Sequence, residues 1–336
     1  MSVVKSPNSV DDRPLTETNA EDPSLHVEDG LWLEDGNVII QAGRSLFRVH
    51  RGILAAHSAF FKKRFEQTCI NGSTPAVSGV QGLTINQDAS KFRVLLLGIY
   101  DPNFYGSPPS KVSLRDTLIM ARMSSKYSVD FLFQWAMNHL SLSFPTSLAE
   151  WDDPSKSTID LTRATVSDYM EAFRTSIEIK AKWLIPAVLY DCLTFSLVDI
   201  MNTDTWRLHH HSLPSLIQAH AKHRLMDRRT LAFFAHLPDA ACYSKDHCRE
   251  VSKRWYLERL EGSANNPLSK LFRKAWDKYL QSLCDLCLKR CLERHQGTRE
   301  EIWEGLPKAY GSENDWNALT SLKGNLPNHL KNFAAC

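Results

Sequence analysis

Residues 35–61 contain the most informative pattern of the chain and read DGNVIIQAGRSLFRVHRGILAAHSAFF. The β-branched run 38–41 and the apolar run 46–49 lie on either side of a turn that contains glycine, which predicts a β-hairpin. Two short helices are predicted directly after it. Ser58 is expected to cap the second of them, because a serine hydroxyl at that position can accept a hydrogen bond from a backbone N–H of the first helical turn.

The residues that follow continue this mixture of strand and helix. Residues 83–85 predict a third strand, and apolar side chains at helical spacing predict a helix that ends at Asp101, because Pro102 cannot continue it. Two further helices are predicted over 114–127 and 129–142, whose apolar residues also recur at helical spacing. The segment as a whole predicts a small sheet packed against helices.

This order of elements is similar to that of the BTB/POZ domain, a protein-interaction fold. The motifs that carry the resemblance are DGNVII (35–40), FRVHRGILAAHSAFF (47–61), LTI (83–85), LLLGIY (95–100) and MARMSSKY (120–127). Two segments, WLEDGN (32–37) and WLIPAVLY (183–190), also resemble the fungal, mushroom-type BTB proteins, in which a long helical region follows the BTB domain. The resemblance implies an α+β fold over residues 29–143, with a small sheet flanked by helices.

Composition and patterning divide the rest of the chain. Of its 336 residues 43% are hydrophobic and 23% charged, and the net charge is +2, which excludes wholesale disorder and indicates no preference for a polyanion. Residues 1–28 are polar and acidic without a hydrophobic period, so we expect a disordered leader. A polar linker is expected at 144–159, an all-helical domain at 160–325 and a tail at 326–336.

The sequence also predicts where the protein resides. Its N-terminus lacks the basic start and apolar core of a secretory signal, and no segment is long and apolar enough to span a bilayer. We therefore expect an intracellular protein, cytoplasmic or nuclear, with reduced thiols.

The resemblance implies candidate interaction residues. BTB transcription regulators form a charged pocket from an acidic residue before the first strand and a basic residue after a histidine. The matching positions here are Asn37 and Arg51, so the carboxylate is missing. BTB adaptors of cullin-type ubiquitin ligases carry an apolar-x-Glu motif after the second short helix, whereas Ile70 has no such Glu after it. Phe61 and Ile70 are the residues whose replacement would test cullin binding.

Self-association is a second property that the resemblance implies. Many BTB proteins dimerise by exchanging an N-terminal strand and amphipathic helix, and residues 1–28 show no such pattern. A homodimer stays open as a possibility.

Four of the eight cysteines form two close pairs, Cys242-x5-Cys248 and Cys284-x2-Cys287. Four thiolates are the ligand set of a closed tetrahedral zinc site, and His247 or Cys291 could substitute for one of them. The second pair lies on a helix predicted over 268–292. There Leu280, Cys284, Cys287 and Cys291 share one helical face, a pattern that small apolar cysteines of a helix–helix core also produce. Both interpretations, one structural zinc ion and a plain core, stay open.

The chain lacks the sequence signatures of common enzymes, including a phosphate-binding glycine loop, a Gly-x-Ser-x-Gly motif and a His-Glu-x-x-His motif. His50 has no nucleophile or carboxylate pattern beside it, so we expect a packed histidine that donates to a backbone carbonyl. The His-His-His run at 209–211 and the basic segments 62–64 and 222–224 are expected to be solvated surface.

The sequence therefore predicts a non-catalytic protein–protein interaction module in which the BTB domain self-associates or binds a partner and the helical region scaffolds another. A cullin adaptor and a nuclear regulator with weak nucleic-acid contact are the alternatives. Neither a membrane nor a nucleic acid is the expected main partner.

Overall fold

A computed structural model describes residues 25–70, 76–77, 80–101, 104, 111–203, 213–261, 266–270 and 281–324. These residues divide into two compact units. The first contains the described residues up to 140 together with 158–160, and the second contains 141–157 together with the described residues from 161 onward.

The first unit is built on a mixed five-stranded sheet. Its strands are β1 (His26–Trp32), β2 (Val38–Ala42), β3 (Ser45–Val49), β4 (Ala76–Val77) and β5 (Val80–Ile85), in the spatial order β1-β3-β2-β5-β4. Strand β2 is antiparallel to β3, which confirms the predicted hairpin, and parallel to β5. Nearly every side chain of β2 and β3 is buried, because these central strands are covered on both faces.

Five helices accompany the sheet in the chain order predicted from the sequence. They are α1 (Arg51–His57), α2 (Ala59–Ile70), α3 (Ala89–Tyr100), α4 (Leu114–Lys126) and α5 (Asp130–Ser143). The Ser58 hydroxyl accepts from the backbone N–H of Phe61 at 3.1 Å, so the predicted cap of α2 is confirmed. Gly98 permits the close packing of α3 on α4, since a Cβ at this position would lie 2.6 Å from Cε of Met120.

The sheet begins earlier than the sequence indicated. Strand β1 starts at His26, inside the predicted leader, and pairs with β3 in parallel. Its residue Glu28 has partners elsewhere in the fold, because it accepts a hydrogen bond from the Ser45 hydroxyl at 2.6 Å and pairs with Arg93 at 3.6 Å. These partners are distant in sequence, so a local pattern could not reveal the strand. Residues 1–24 lie outside the described part.

The second unit is helical. It contains α6 (Leu148–Trp151), α7 (Val166–Glu178), α8 (Ile185–Leu193), α9 (Leu197–Met201), α10 (Leu213–Leu231), α11 (Lys245–Glu261), α12 (Asp285–Ala309) and α13 (Trp316–Gly324). Short 3₁₀ turns lie at Pro154–Lys156, Lys182–Leu184 and Ala232–His236. Within the described residues after 160 no strand occurs, so the predicted all-helical character is confirmed there.

The segment expected to be a linker is packed instead. Phe144 is fully buried, and the Trp151 ring lies 5.2 Å from that of Tyr190 and 5.5 Å from that of Trp303. Asp152 forms an ion pair with the buried guanidinium of Arg299. Much of residues 144–157 therefore belongs to the core of the helical unit. The polar composition of the segment conceals this, because its few aromatic and charged residues find partners far along the chain.

Candidate metal centre

Four cysteines meet where two helices of the second unit begin. Cys242 lies in the turn that precedes α11 and Cys248 in the first turn of that helix. Cys284 directly precedes α12 and Cys287 lies in its first turn. Each pair therefore offers one thiol from the turn and one from the helix, and the two pairs face each other.

The four sulfurs fit a tetrahedral metal site. All four Sγ atoms lie within 4.8 Å of one another, and those of Cys242 and Cys284 are 3.6 Å apart. A Zn–S bond of about 2.3 Å requires sulfurs roughly 3.8 Å apart at the corners of a tetrahedron. The observed separations bracket this value, so four buried cysteines lie close enough together to bind one metal ion.

Backbone N–H groups lie close to the sulfurs. Cys248 Sγ accepts from the N–H of Cys284 at 3.4 Å. The backbone of Cys287 lowers the pKa of Cys284, and the backbone of Asp239 acts in the same direction on Cys287. Such donors stabilise the charged form of a thiol, as do the two helix N-termini. An apolar core needs no donors directed at sulfur, whereas a set of metal-bound thiolates does.

Burial and hydrogen bonding move the thiol pKa values in different directions. Burial is the main cause that raises the pKa values of Cys248 and Cys287. Burial also opposes the charged form of Cys284, but the N–H of Cys287 and the neighbouring thiols lower its pKa below the usual value. The surroundings therefore favour charge at Cys284 and resist charge at Cys248 and Cys287 unless a cation is present to compensate it.

Two contacts hold the halves of the site together from outside. Arg290 on α12 pairs with Asp239 of the first loop, with Nε and Oδ2 3.4 Å apart. His247 Nε2 lies 2.8 Å from the carbonyl oxygen of Ser282 in the second loop. His247 is exposed and engaged there, and the four-sulfur group does not include it. Cys291 is buried one turn beyond Cys287 but also lies outside the group.

The helix predicted over 268–292 is wrong at Cys284, which the prediction placed inside the helix. Residues 281–284 form a turn and α12 begins at Asp285, so Cys284 does not share a helical face with Cys287 and Cys291. Residues 271–280, including Leu280, lie outside the described part. The apolar period of this stretch continues through the turn, and only the sulfur geometry distinguishes the two interpretations.

The structure also places the candidate interaction residues of the first unit. Asn37 is exposed, and its Oδ1 accepts from the backbone N–H of Arg51 at 2.8 Å. The Arg51 guanidinium donates to the carbonyl oxygen of Phe65 at 3.2 Å and to Gln81 Oε1 at 3.4 Å. Arg51 thus joins α1, α2 and the sheet. The guanidinium of Arg51 is therefore bound by acceptors inside the domain, in place of the carboxylate that BTB transcription regulators have at the position of Asn37.

His50 does have a carboxylate beside it. Its Nε2 lies 3.1 Å from Oδ2 of Asp35, and this contact is the main cause that lowers the pKa of that carboxyl. The expectation that the His50 ring donates to a backbone carbonyl is therefore wrong. Asp35 lies before β2 and His50 lies directly after β3, so the whole hairpin separates them in sequence. The spacing of two residues so far apart does not predict that their side chains will be in contact.

Phe61 belongs to the core rather than to a surface. Its side chain is fully buried, and its ring stacks on that of Tyr127 with centroids 5.4 Å apart. It cannot contact a partner in the folded protein, which corrects its selection as an interaction residue. The side chain of Ile70 and the histidine run at 209–211 lie outside what the structure describes.

Exposed apolar side chains of the first unit were not identified from the sequence. Ile53 on α1 is 38% exposed and Phe131 on α5 is 42% exposed. The ring of His57, one helical turn after Ile53, lies 5.2 Å from that of Phe131. We call Ile53, His57 and Phe131 the apolar patch. Helical periodicity alone assigns such residues to a core, so only the packed structure reveals their exposure.

Comparison with models of known protein families identifies one domain in this chain. A family model of the BTB/POZ domain matches residues 33–140. No curated protein matches the chain. Among the described residues, no helix has both the length and the apolar character required to cross a membrane.

Proposed function

Starting from a BTB/POZ domain at residues 33–140, a fold that acts as a protein–protein interaction module, we propose that this chain is a non-catalytic scaffold. The BTB domain associates with a second copy or with a protein partner, and the helical unit positions another partner. The family match carries this proposal, and the apolar patch supplies a surface for it. Exposed aromatic and aliphatic side chains are the usual anchors of protein interfaces.

The apolar patch is the part of the BTB domain to test. Phe131→Arg and Ile53→Arg place a charge on an exposed position, so the fold tolerates them while an apolar interface does not. Val198→Arg is the matched control, because Val198 is 67% exposed and lies on α9 in the helical unit.

The experiment measures the mass of the full chain in solution and the proteins recovered with it from cells at native expression. We expect a dimer or a defined partner that both patch variants lose and the control keeps. A monomer that recovers nothing above background would refute the scaffold. Recovery of a cullin that both patch variants keep would instead favour the ubiquitin-ligase adaptor, with a different contact surface.

We also propose that the four-cysteine cluster holds one structural zinc ion. The mutual distances of the four sulfurs carry this proposal, together with the burial of all four cysteines and the N–H of Cys284 that donates to Cys248 Sγ. With four protein ligands the site is closed, so the metal would supply cross-links between two loops rather than a position for substrate.

Elemental analysis of purified full-length protein tests the zinc proposal. We expect one equivalent of zinc, and Cys284→Ser should lose it. Cys192→Ser is the matched control, since Cys192 is also a buried cysteine but lies on α8 outside the cluster. A stably folded protein without metal would leave the cysteines as ordinary core residues, and iron in place of zinc would correct the identity of the ion.

A further inference from the structure

Helix α12 passes through two different environments. Its N-terminal half carries Cys287 and Cys291, which belong to one buried cluster with Cys242, Cys248 and Cys284. Its C-terminal half carries Arg299, Trp303 and Leu306, which are buried but take no part in that cluster. One continuous helix therefore connects two separate cores.

Cysteines form the centre of the core around the metal site. Five of its nine buried residues are cysteines, and the other four are Leu231, Phe234, Leu283 and Trp255. Six partly buried apolar residues pack around them: Leu237, Val251, Tyr256, Leu286, Leu288 and Leu292. A cysteine buries less apolar area than a leucine or an aromatic residue, so the centre of this core gains less from hydrophobic burial than a leucine or aromatic core of the same size. We call residues 231–261 and 281–295 the metal lobe.

The second half of α12 is anchored without help from the metal lobe. Arg299 is only 2% exposed. Both terminal nitrogens of its guanidinium donate to the carboxylate of Asp152, and its Nε donates to the carbonyl oxygen of Leu268 at 2.8 Å. The rings of Trp303 and Trp316 stack 5.0 Å apart, and Trp316 Nε1 donates to the carbonyl oxygen of Trp303. This half thus has its own apolar and ionic partners.

A glycine separates the two halves. Gly297 lies inside α12 between His295 and Arg299, and a Cβ added there would meet no atom within 4 Å. No packing requirement therefore explains a glycine at this position. Glycine weakens a helix interior relative to alanine because its backbone loses more conformational freedom on ordering.

We infer that metal binding controls the folding of the metal lobe alone, and that on metal loss the order of α12 ends near Gly297. This inference rests on the zinc site proposed above. The ligands bridge two loops whose buried centre consists mainly of cysteines, so binding energy at this site is folding energy for the lobe. The anchored half of α12 and the BTB domain keep their own cores and stay folded.

Hydrogen exchange of the full chain tests the inference. The protein is compared as the zinc form, after chelation with EDTA, and after addition of Zn²⁺. We expect amides of α11 and of residues 285–295 to lose protection on chelation and to regain it with Zn²⁺. Amides of residues 302–309, whose i−4 acceptors lie in the anchored half, and amides of the sheet should exchange equally in all three states.

Two matched variants locate the boundary. In the metal-free protein, Gly297→Ala should slow exchange at residues 298–301 by about 2- to 5-fold, because alanine lets the anchored helix extend further and restores the carbonyl acceptors of these amides. Gly305→Ala is the control: a Cβ there also meets nothing within 4 Å, but the residue lies in the anchored half. It should leave exchange at residues 298–301 unchanged.

The outcomes separate this inference from the zinc proposal. Protein that never contains metal overturns the zinc site itself. Protein that loses zinc on chelation but keeps all its protection, or that unfolds throughout the helical unit, overturns the lobe boundary and leaves the zinc site standing. Equal effects of Gly297→Ala and Gly305→Ala on residues 298–301 would overturn the role of Gly297.

Discussion

Replacing Asp152 with alanine should destabilise the helical unit strongly. Asp152 is the carboxylate partner of Arg299, whose side chain is 2% exposed, so the substitution leaves a buried guanidinium without its counter-charge. Removing one member of a buried ion pair costs about 3–5 kcal/mol. Arg299 retains hydrogen bonds to Leu268 and Gln296, and Asp152 itself is 21% exposed, which places the expected loss at the lower end of this range.

Urea unfolding of the full chain, followed by tryptophan fluorescence, measures this loss. Trp151, Trp303 and Trp316 surround the same core and report on it directly. Thermal unfolding followed by the same fluorescence provides a second measurement. At about 2–4 °C per kcal/mol for a unit of this size, the melting temperature should fall by roughly 6–12 °C.

Asp153→Ala is the matched control for this prediction. Asp153 is the neighbouring carboxylate, but it is half-exposed and pairs with Lys156 at the surface, so its loss should leave the stability nearly unchanged. Equal, small effects of the two alanines would mean that residues 144–157 behave as the solvated linker their composition suggests. A large loss from Asp152→Ala that Arg299→Met relieves would identify the uncompensated charge as its cause.

Three further predictions address other parts of the fold. Phe61→Ala should cost about 3–5 kcal/mol of BTB-domain stability in urea unfolding, as expected for a fully buried aromatic residue; a change below about 1 kcal/mol would contradict its core position. Gly98→Ala should cost about 1–3 kcal/mol because the added methyl would overlap Met120; unchanged stability would mean that the α3–α4 packing adjusts freely. Burial raises the pKa of Asp191 from 3.8 to about 8, so the folded protein keeps a proton that the unfolded chain releases: its contribution to stability is complete below about pH 4 and is lost as the pH rises to about 8. Asp191→Asn cannot ionise and should flatten this decline in unfolding titrations from pH 5 to 8, whereas parallel curves for the two proteins would show that Asp191 does not cause it.

The sheet and helices of the BTB domain were largely predictable because their signals are local. The hairpin β2–β3 has a β-branched run, a glycine turn and a second apolar run, and the observed strands differ from the predicted ones by a residue at each end or less. The capping role of Ser58 was predictable for the same reason, since a helix cap depends only on the next three residues. Strand β1 was missed because Glu28 gains its partners, Ser45 and Arg93, only in the folded protein.

The candidate site was predictable in its members but not in its geometry. Spacing identified Cys242, Cys248, Cys284 and Cys287 as a possible ligand set, and the same spacing suited a helical core. The distinction depends on where α12 begins and on which backbone N–H groups point at sulfur. Neither property is written in local periodicity, because both follow from the approach of two loops that are about 40 residues apart along the chain.

The two units also differ in what stabilises them, and this difference bears on function. The BTB domain has an aromatic core in which Phe47, Phe61, Phe92 and Tyr127 contact one another, a source of stability that requires no ligand. In the core of the metal lobe, five of the nine buried residues are cysteines. If zinc is its structural ion, metal supply changes the order of one part of the helical unit while the BTB surface stays competent to bind. A partner that requires both surfaces would then bind only the zinc form, and a partner of the BTB domain alone would bind both forms equally.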